Sequence, residues 1–324
     1  IGFCLVGSEM CIRDRRNAKY NWRGVVPGNT RETLWTDYHG TEDLPQVLNP
    51  ESGFLYNANN TPYKSTAEYE NLNSEDFPKE MGYSTYDNNR STRILELIES
   101  YDRIDFSDFK SIKFDYKFPT PFNFNFVDVN QIMEMNPDDY PEISELIKEI
   151  QNWDRSTNAD SLGAGVFAMF YYNLGNYIGK SYINRKLSKD LIALILKDVK
   201  SYMIKYFKKT KVKLGEYQKL VRGKKEIPIW GMPDVITAMT SSKHKDGKRK
   251  IVHGESYIQL VKFSEGKPHI ESIMSYGNSE NPDSPHYDDQ MEMFAKFETK
   301  KMTFDKELIY KNAKRVYRLS LIHI

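Results

Sequence analysis

Apolar residues recur at three- and four-residue spacing through the middle of the chain, and in short runs or alternation on either side of it. The segment "NRSTRILELIESYDRI" sets Ile94, Leu97, Ile98 and Tyr101 on one face of a helix, with Arg90 near its start. "DYPEISELIKEIQNW" does the same with Ile143, Leu146, Ile147 and Ile150, and places Pro141 in a first-turn position. "DSLGAGVFAMFYYNLGNYI" is more apolar, which predicts an internal helix with Asp160 and Ser161 in capping positions. "SKDLIALILKDVKSYMIKYFKK" has Ser188 as its N-cap and closes on lysines, which suit the negative end of a helix dipole. A helical region over about 86–210 follows.

The flanks carry strand and turn signals. Residues 16–63 are turn-rich, with Pro27-Gly28 as a turn and "TLWTDYHG" and "LPQVLNP" each closed by Gly or Pro, so loops and short strands are expected there. Phe54, Leu55 and Tyr56 follow Gly53 and stop at an asparagine cluster and Pro62, which predicts a short buried strand feeding a polar loop. In the last third, "ESYIQLVKF" (255–263) and "HIESIMSYG" (269–277) flank "SEGK" as a hairpin, and "YDDQMEMFAKFETKK" predicts a closing helix. The order of strands, long helices and strands again gives an α+β class. No repeat of fixed period and no run of 18 apolar residues interrupts it.

Composition narrows the function. The 324 residues allow one large domain or two ordinary ones, and 46 Lys+Arg against 45 Asp+Glu leave a net charge of +1. That balance gives no electrostatic case for a nucleic-acid or membrane partner. The 22 Tyr and 17 Phe suit a carbohydrate-binding surface, a large aromatic core or a wide apolar cleft alike. A non-catalytic glycan- or peptide-binding protein is therefore the alternative to an enzyme. It calls for Trp and Tyr exposed in a groove, whereas an enzyme calls for Trp22, Trp35, Trp153 and Trp230 to be mostly packed. The ends differ from the body: residues 1–15 and 319–324 resemble translated sequencing adapter and are expected to be artefacts. With them go Cys4 and Cys11, leaving a body of 16–318 without cysteine, hence without disulfide or Cys-ligated metal.

Several familiar chemistries are missing: there is no G-x-S-x-G elbow, no phosphate-binding G-x-x-x-x-G-K-[ST] loop and no H-E-x-x-H helix. The run His286 to Asp289 is expected to be a structural loop, since neighbouring residues rarely converge on one metal. "KHKDGKRK" (243–250) reads as a solvated hairpin tip. The cluster of Asn57, Asn59 and Asn60 has two readings. Asparagine is an ordinary turn residue. Its carboxamide can also donate to a developing oxyanion without carrying charge, once a preceding segment fixes its position.

Neighbouring motifs favour the second. "WRGVVPG" (22–28), "LPQVLNPESGFLYNANNTP" (44–62) and "NNRSTRILELI" (88–98) resemble, in that order, the late β-chain of the penicillin acylase family of N-terminal-nucleophile hydrolases. "IQNWDRSTNADS" (150–161), "GEYQKLVRGKKEIPIWGMPDV" (215–235), "GESYIQLVKF" (254–263) and "SPHYDDQMEMF" (284–294) resemble later segments of the same family. The resemblance implies part of an αββα sandwich with helical insertions, incomplete here, and an enzyme that cleaves the amide of a β-lactam, an acyl-homoserine lactone or a related acylated compound. It makes Asn59 the side-chain oxyanion donor and Arg90 the residue that orders the active-site amides, beside the plainer reading of Arg90 as a salt bridge at a helix start. The nucleophilic serine, whose α-amino group serves as base, falls upstream of residue 16, as do the backbone oxyanion donor and most of the acyl pocket. No serine of this chain takes its place, and the chain alone is expected to be inactive. The implied partners are the upstream β-chain segment and the α-chain of the same precursor. No catalytic cofactor is implied; structural calcium would be held mainly by upstream carboxylates. Periplasmic or secreted location follows from family habit.

Overall fold

The middle of the chain is helical because its apolar stripes have a core to face. The structure is a computed structural model that describes residues 17–316 apart from 23, 35, 36 and 179–184. Both terminal stretches, the two cysteines and Trp35 therefore lie outside the described residues. The helices of the first two thirds are α1 (Asn89–Glu99), α2 (Phe106–Lys113), α3 (Ser144–Gln151), α4 (Leu162–Ile178), α5 (Lys189–Phe207) and α6 (Leu214–Tyr217). Ile143, Leu146, Ile147 and Ile150 are all buried, as their spacing requires. Ser161 and Ser188 accept the backbone N–H groups of Ala164 and Leu191 at 3.1 and 3.3 Å, so each caps its helix. Two expectations change. α3 begins at Ser144 with Ile143 at its N-cap, leaving Pro141 in the turn before it rather than in the first helical turn. The apolar face of α1 is only half-buried.

α4 is the centre of the helical core. Its Phe167 lies flat on Phe122 at 4.8 Å between ring centroids and packs beside Trp153, Phe118 and Phe170. Gly165 lets the segment 212–214 cross at contact distance, since a Cβ there would sit 2.0 Å from the Val212 carbonyl. That crossing carries the chain through α6 into the sheets.

Two strands of two residues each, β1 (Val127–Asp128) and β2 (Arg185–Lys186), pair in parallel beside the helices. The main strands are β3 (Gln218–Arg222), β4 (Lys225–Pro228), β5 (Met239–Lys243) and β6 (Arg249–Gly254), in the order β4-β3-β6-β5 with only β3 and β6 parallel. A second sheet, β7-β8-β9, is formed by β7 (Tyr257–Ser264), β8 (Lys267–Met274) and β9 (Lys300–Met302). Leu220, Met239 and Ile251 of the first sheet share one core with Ile258, Leu260 and Ile273 of the second, joined by Trp230, Met291 and Phe294. The β7–β8 turn is tighter than "SEGK" suggested: only Glu265 and Gly266 lie between the strands, both at positive φ (51° and 73°).

The closing segment is not one helix. α7 (Met291–Ala295) stops where Phe297 turns left-handed at φ 59° and stacks on Trp230 at 4.5 Å, and the following lysines join the sheet as β9 before α8 (Lys306–Asn312). The expected strand at Phe54–Tyr56 does not form: the segment joins no ladder, and Leu55 is exposed. Its polar groups are met otherwise: the Phe54 carbonyl accepts from the Thr66 hydroxyl at 2.9 Å and Tyr56 N–H donates to the Ser65 carbonyl at 2.8 Å.

Candidate functional site

The asparagine loop is built from its own side chains. Asn57 Oδ1 accepts from Asn59 N–H at 2.7 Å, and Asn60 Oδ1 accepts from Ala58 N–H at 3.0 Å while its amide nitrogen donates to the Lys64 carbonyl at 2.6 Å. Asn60 thus spends both ends of its amide on the loop, and Asn57 its oxygen. Asn59 is left at the tip, exposed and left-handed (φ 57°), a conformation asparagine tolerates better than most residues.

Helix α1 docks on that loop through its N-terminus. Asn88 caps the helix by accepting from Ser91 N–H at 2.9 Å, and Ser91 Oγ returns the bond by accepting from Asn88 N–H at 3.1 Å. The amide nitrogen of Asn88 remains available and donates to the Ala58 carbonyl at 2.8 Å, one residue before Asn59. Arg90 then reaches Asn59: its NH1 donates to Asn59 Oδ1 at 3.1 Å. Arginine can only donate, so the atom facing it must be the amide oxygen, and the Asn59 NH2 group points away from Arg90. Among the described residues that NH2 group has no hydrogen-bond partner.

A second anchor comes from far along the chain. Asp234 accepts from Arg90 Nε at 3.3 Å and, through its other oxygen, from Asn89 N–H at 3.0 Å and Asn89 Nδ2 at 2.8 Å. A carboxylate here also meets the positive end of the α1 dipole. Asn89 Oδ1 in turn accepts from Asn123 N–H at 2.6 Å, tying the site to the loop that enters the aromatic core. Asn59 and Arg90, the two residues singled out by the family resemblance, are thus brought together, and the salt bridge at the helix start coexists with the contact to Asn59. Sequence reasoning missed Asn88, Asn89 and Asp234. An Asn-x-x-Ser box before an apolar stripe was available for Asn88, but a contact spanning 145 residues leaves no local signal for Asp234.

Burial pushes the Asp234 carboxyl up, against the opposing pull of the Asn89 donors and Arg90. Its folded state then holds a proton more firmly than the unfolded chain, so the stability contributed by this group falls as pH rises from the ordinary aspartate value through the raised one. The effect on the site has the opposite sense, because Arg90 is held only by the ionised form. Acidification should release Arg90 at a pH above that at which an ordinary aspartate titrates. Asp234→Asn should abolish that acid-induced release, read as the pH dependence of the Arg90 side-chain NMR signals; a titration identical to wild type would contradict the assignment.

The remaining candidates are structural. His286 Nδ1 lies 2.8 Å from Asp289 Oδ2 within its loop, and residues 243–250 connect β5 and β6 with only Lys243, Lys245 and Asp246 exposed, because Gly247 packs on Tyr206 and its carbonyl accepts from the Tyr202 hydroxyl at 2.7 Å. Among the described residues no three His, Cys, Asp or Glu side chains gather into a metal cage, so they do not by themselves fit the calcium implied by the resemblance. No described helix is long and apolar enough to cross a membrane. Trp153 and Trp230 are buried, and Trp22 is half-buried with its indole donating to the Asn17 carbonyl at 2.8 Å.

On a mixed α+β frame, the arginine thus holds an exposed amide whose NH2 group can donate to a developing negative charge without carrying charge itself. The chain belongs to the penicillin amidase family, whose sequence model matches residues 3–311. It is 36% identical over 113 residues to the acyl-homoserine lactone acylase PvdQ of Pseudomonas savastanoi pv. phaseolicola, covering 34% of this chain and 14% of that protein. The PvdQ of Pseudomonas syringae pv. syringae is 38% identical over 100 residues, 30% of this chain and 13% of that protein. Among solved structures, a thermostable penicillin G acylase from Alcaligenes faecalis superposes with a TM-score of 0.53 and 14% identity, over 96% of this chain and 64% of that one. At that identity the likeness concerns the fold, which is the acylase fold the motifs implied. The matched regions span about one seventh of the curated relatives' length.

Proposed function

We propose that this chain supplies the oxyanion-binding half of an acylase that hydrolyses the amide of a β-lactam side chain, an acyl-homoserine lactone or a related acylated compound. The observation that carries it is the Arg90–Asn59 contact, which turns the amide oxygen to the guanidinium and leaves the NH2 group facing away from it. In the reaction, a serine at the start of the β-chain attacks the amide carbonyl carbon and passes its proton to its own α-amino group. The carbonyl oxygen gains negative charge, and Asn59 Nδ2–H donates to it at the moment the charge forms. The amine then returns the proton to the leaving nitrogen as the C–N bond breaks, and water hydrolyses the resulting ester to a carboxylic acid. Asn59 does not take up or release a proton in any step; Arg90 keeps its amide turned, and Asp234 keeps Arg90 extended.

The serine, the second oxyanion donor and the acyl pocket belong to other segments of the same precursor, so residues 1–324 alone should show no acylase activity. Such a precursor would be exported to the periplasm or beyond. The test is to extend the coding sequence upstream, express the whole precursor, and assay acid release from N-acyl-homoserine lactones and from a penicillin. A serine at a self-cleavage site together with release of acid supports the proposal. No serine there, or no release across both substrate classes by a processed protein, overturns it.

A further inference from the structure

A cleft of about 380 Å³ opens between α4, α5 and the β5–β6 tip, a size within the range of small-molecule sites. Its wall is unusually rich in tyrosine: Tyr172, Tyr202, Tyr206 and Tyr217 line it. Tyr202 packs against Tyr206 at 4.6 Å and against Tyr217 edge-on at 6.2 Å, so the rings form one continuous wall. Ionic groups in the lining are unbalanced. Arg249, Lys243 and Lys205 face a single carboxylate, Asp198, whose Oδ2 already accepts from the Tyr177 hydroxyl. None of the three cations forms an ion pair with a carboxylate among the described residues.

Arg249 is the informative one. Its guanidinium lies 3.7 Å over the ring of Tyr172, and it donates from Nε to Ser241 Oγ at 2.9 Å and from NH2 to the Ser241 carbonyl. Tyr172 is held in turn, its hydroxyl accepting from Ser241 N–H at 3.0 Å. Ring, strand and guanidinium are therefore locked together, and the half-buried cation has neutral partners only. Removing part of its hydration without supplying a counter-charge is unfavourable, and a bound anion would restore the balance.

We propose that this cleft is a binding site for a small aromatic carboxylate, its carboxylate on Arg249 and Lys243 and its ring against the tyrosines. The site is separate from Asn59 and does not depend on the acylase reading. Titrating the full 324-residue chain with benzoate, benzyl alcohol and acetate, followed by NMR shift perturbation, tests it. Benzoate should bind more tightly than both others, shift the resonances of α4, α5 and the β5–β6 tip, and weaken as salt is raised. Arg249→Gln should weaken benzoate by about tenfold, the size of one charge-assisted contact. Lys243→Gln, at an exposed strand end, should weaken it by a smaller factor, and Asn59→Ala should leave it unchanged. Equal binding of benzyl alcohol, or a folded Arg249→Gln that binds benzoate as wild type does, would overturn the proposal. If Arg249→Gln fails to fold, unweakened binding by Lys243→Gln does so instead.

Discussion

Replacing Asn59 with alanine should lower kcat of the intact acylase by about 10²–10³-fold, the loss typical of one side-chain oxyanion donor. Self-cleavage of the precursor should be mostly preserved. The magnitude follows from the timing of the contact: an NH2 group aimed at the position where charge develops stabilises the transition state more than the bound substrate. The fall should therefore be carried by kcat, with KM changing little. Asn59 is left-handed, and alanine adopts that conformation at a cost of about 1 kcal/mol, so backbone strain has to be separated from loss of the amide. Asn59→Gly removes the amide while accepting the same φ, and should show the same loss of turnover. Wild-type turnover in either variant would refute the oxyanion role.

The second large effect is on stability. Phe167→Ala should destabilise the protein by about 3–5 kcal/mol, the usual range for deleting a fully buried aromatic ring. Phe167 is fully buried and contacts the rings of Phe118, Phe122, Phe124, Trp153 and Phe170, so its loss leaves a cavity that no single neighbour can fill. Arg155 adds to the expected cost, because its guanidinium lies 4.0 Å over Phe122, the ring against which Phe167 stacks. The midpoint of urea unfolding should drop with little change in slope. Phe167 stacks on Phe122 and Phe124, which flank the Asn123 N–H that holds Asn89, so kcat measured well below the unfolding midpoint should fall far less than in Asn59→Ala. An unchanged midpoint would mean that the aromatic cluster is not the core of the helical region.

Legibility in the sequence tracked the range of each interaction. Helices α3, α4 and α5 could be read because burial of Ile143, Ile147 and Ile150, and capping by Ser161 and Ser188, are expressed within a few residues. The Asn59–Arg90 pair has no periodic signature and is legible only through the resemblance of its motifs to the penicillin acylase family. The segment Phe54–Tyr56 looked like a buried strand because its residues are β-prone, yet strand formation depends on a partner that propensity does not name. The C-terminal helix failed for a similar reason: Phe297 prefers the ring of Trp230 to a further helical turn, and that ring comes from 67 positions away. Asp234 carries no local signal of its contacts, because Asn89 and Arg90 reach it from about 145 positions earlier in the chain. What the sequence withheld in each case was the identity of a distant partner.

A double-mutant cycle in the intact acylase decides whether Arg90 acts through Asn59. Arg90→Ala alone should lower kcat because the Asn59 amide loses the donor that orients it. In an Asn59→Ala background the same change should have almost no further effect, since the group it positions is gone. Strongly non-additive losses, with the double variant close to Asn59→Ala alone, are the predicted result. Losses in kcat that simply multiply would contradict the account and assign Arg90 an independent task.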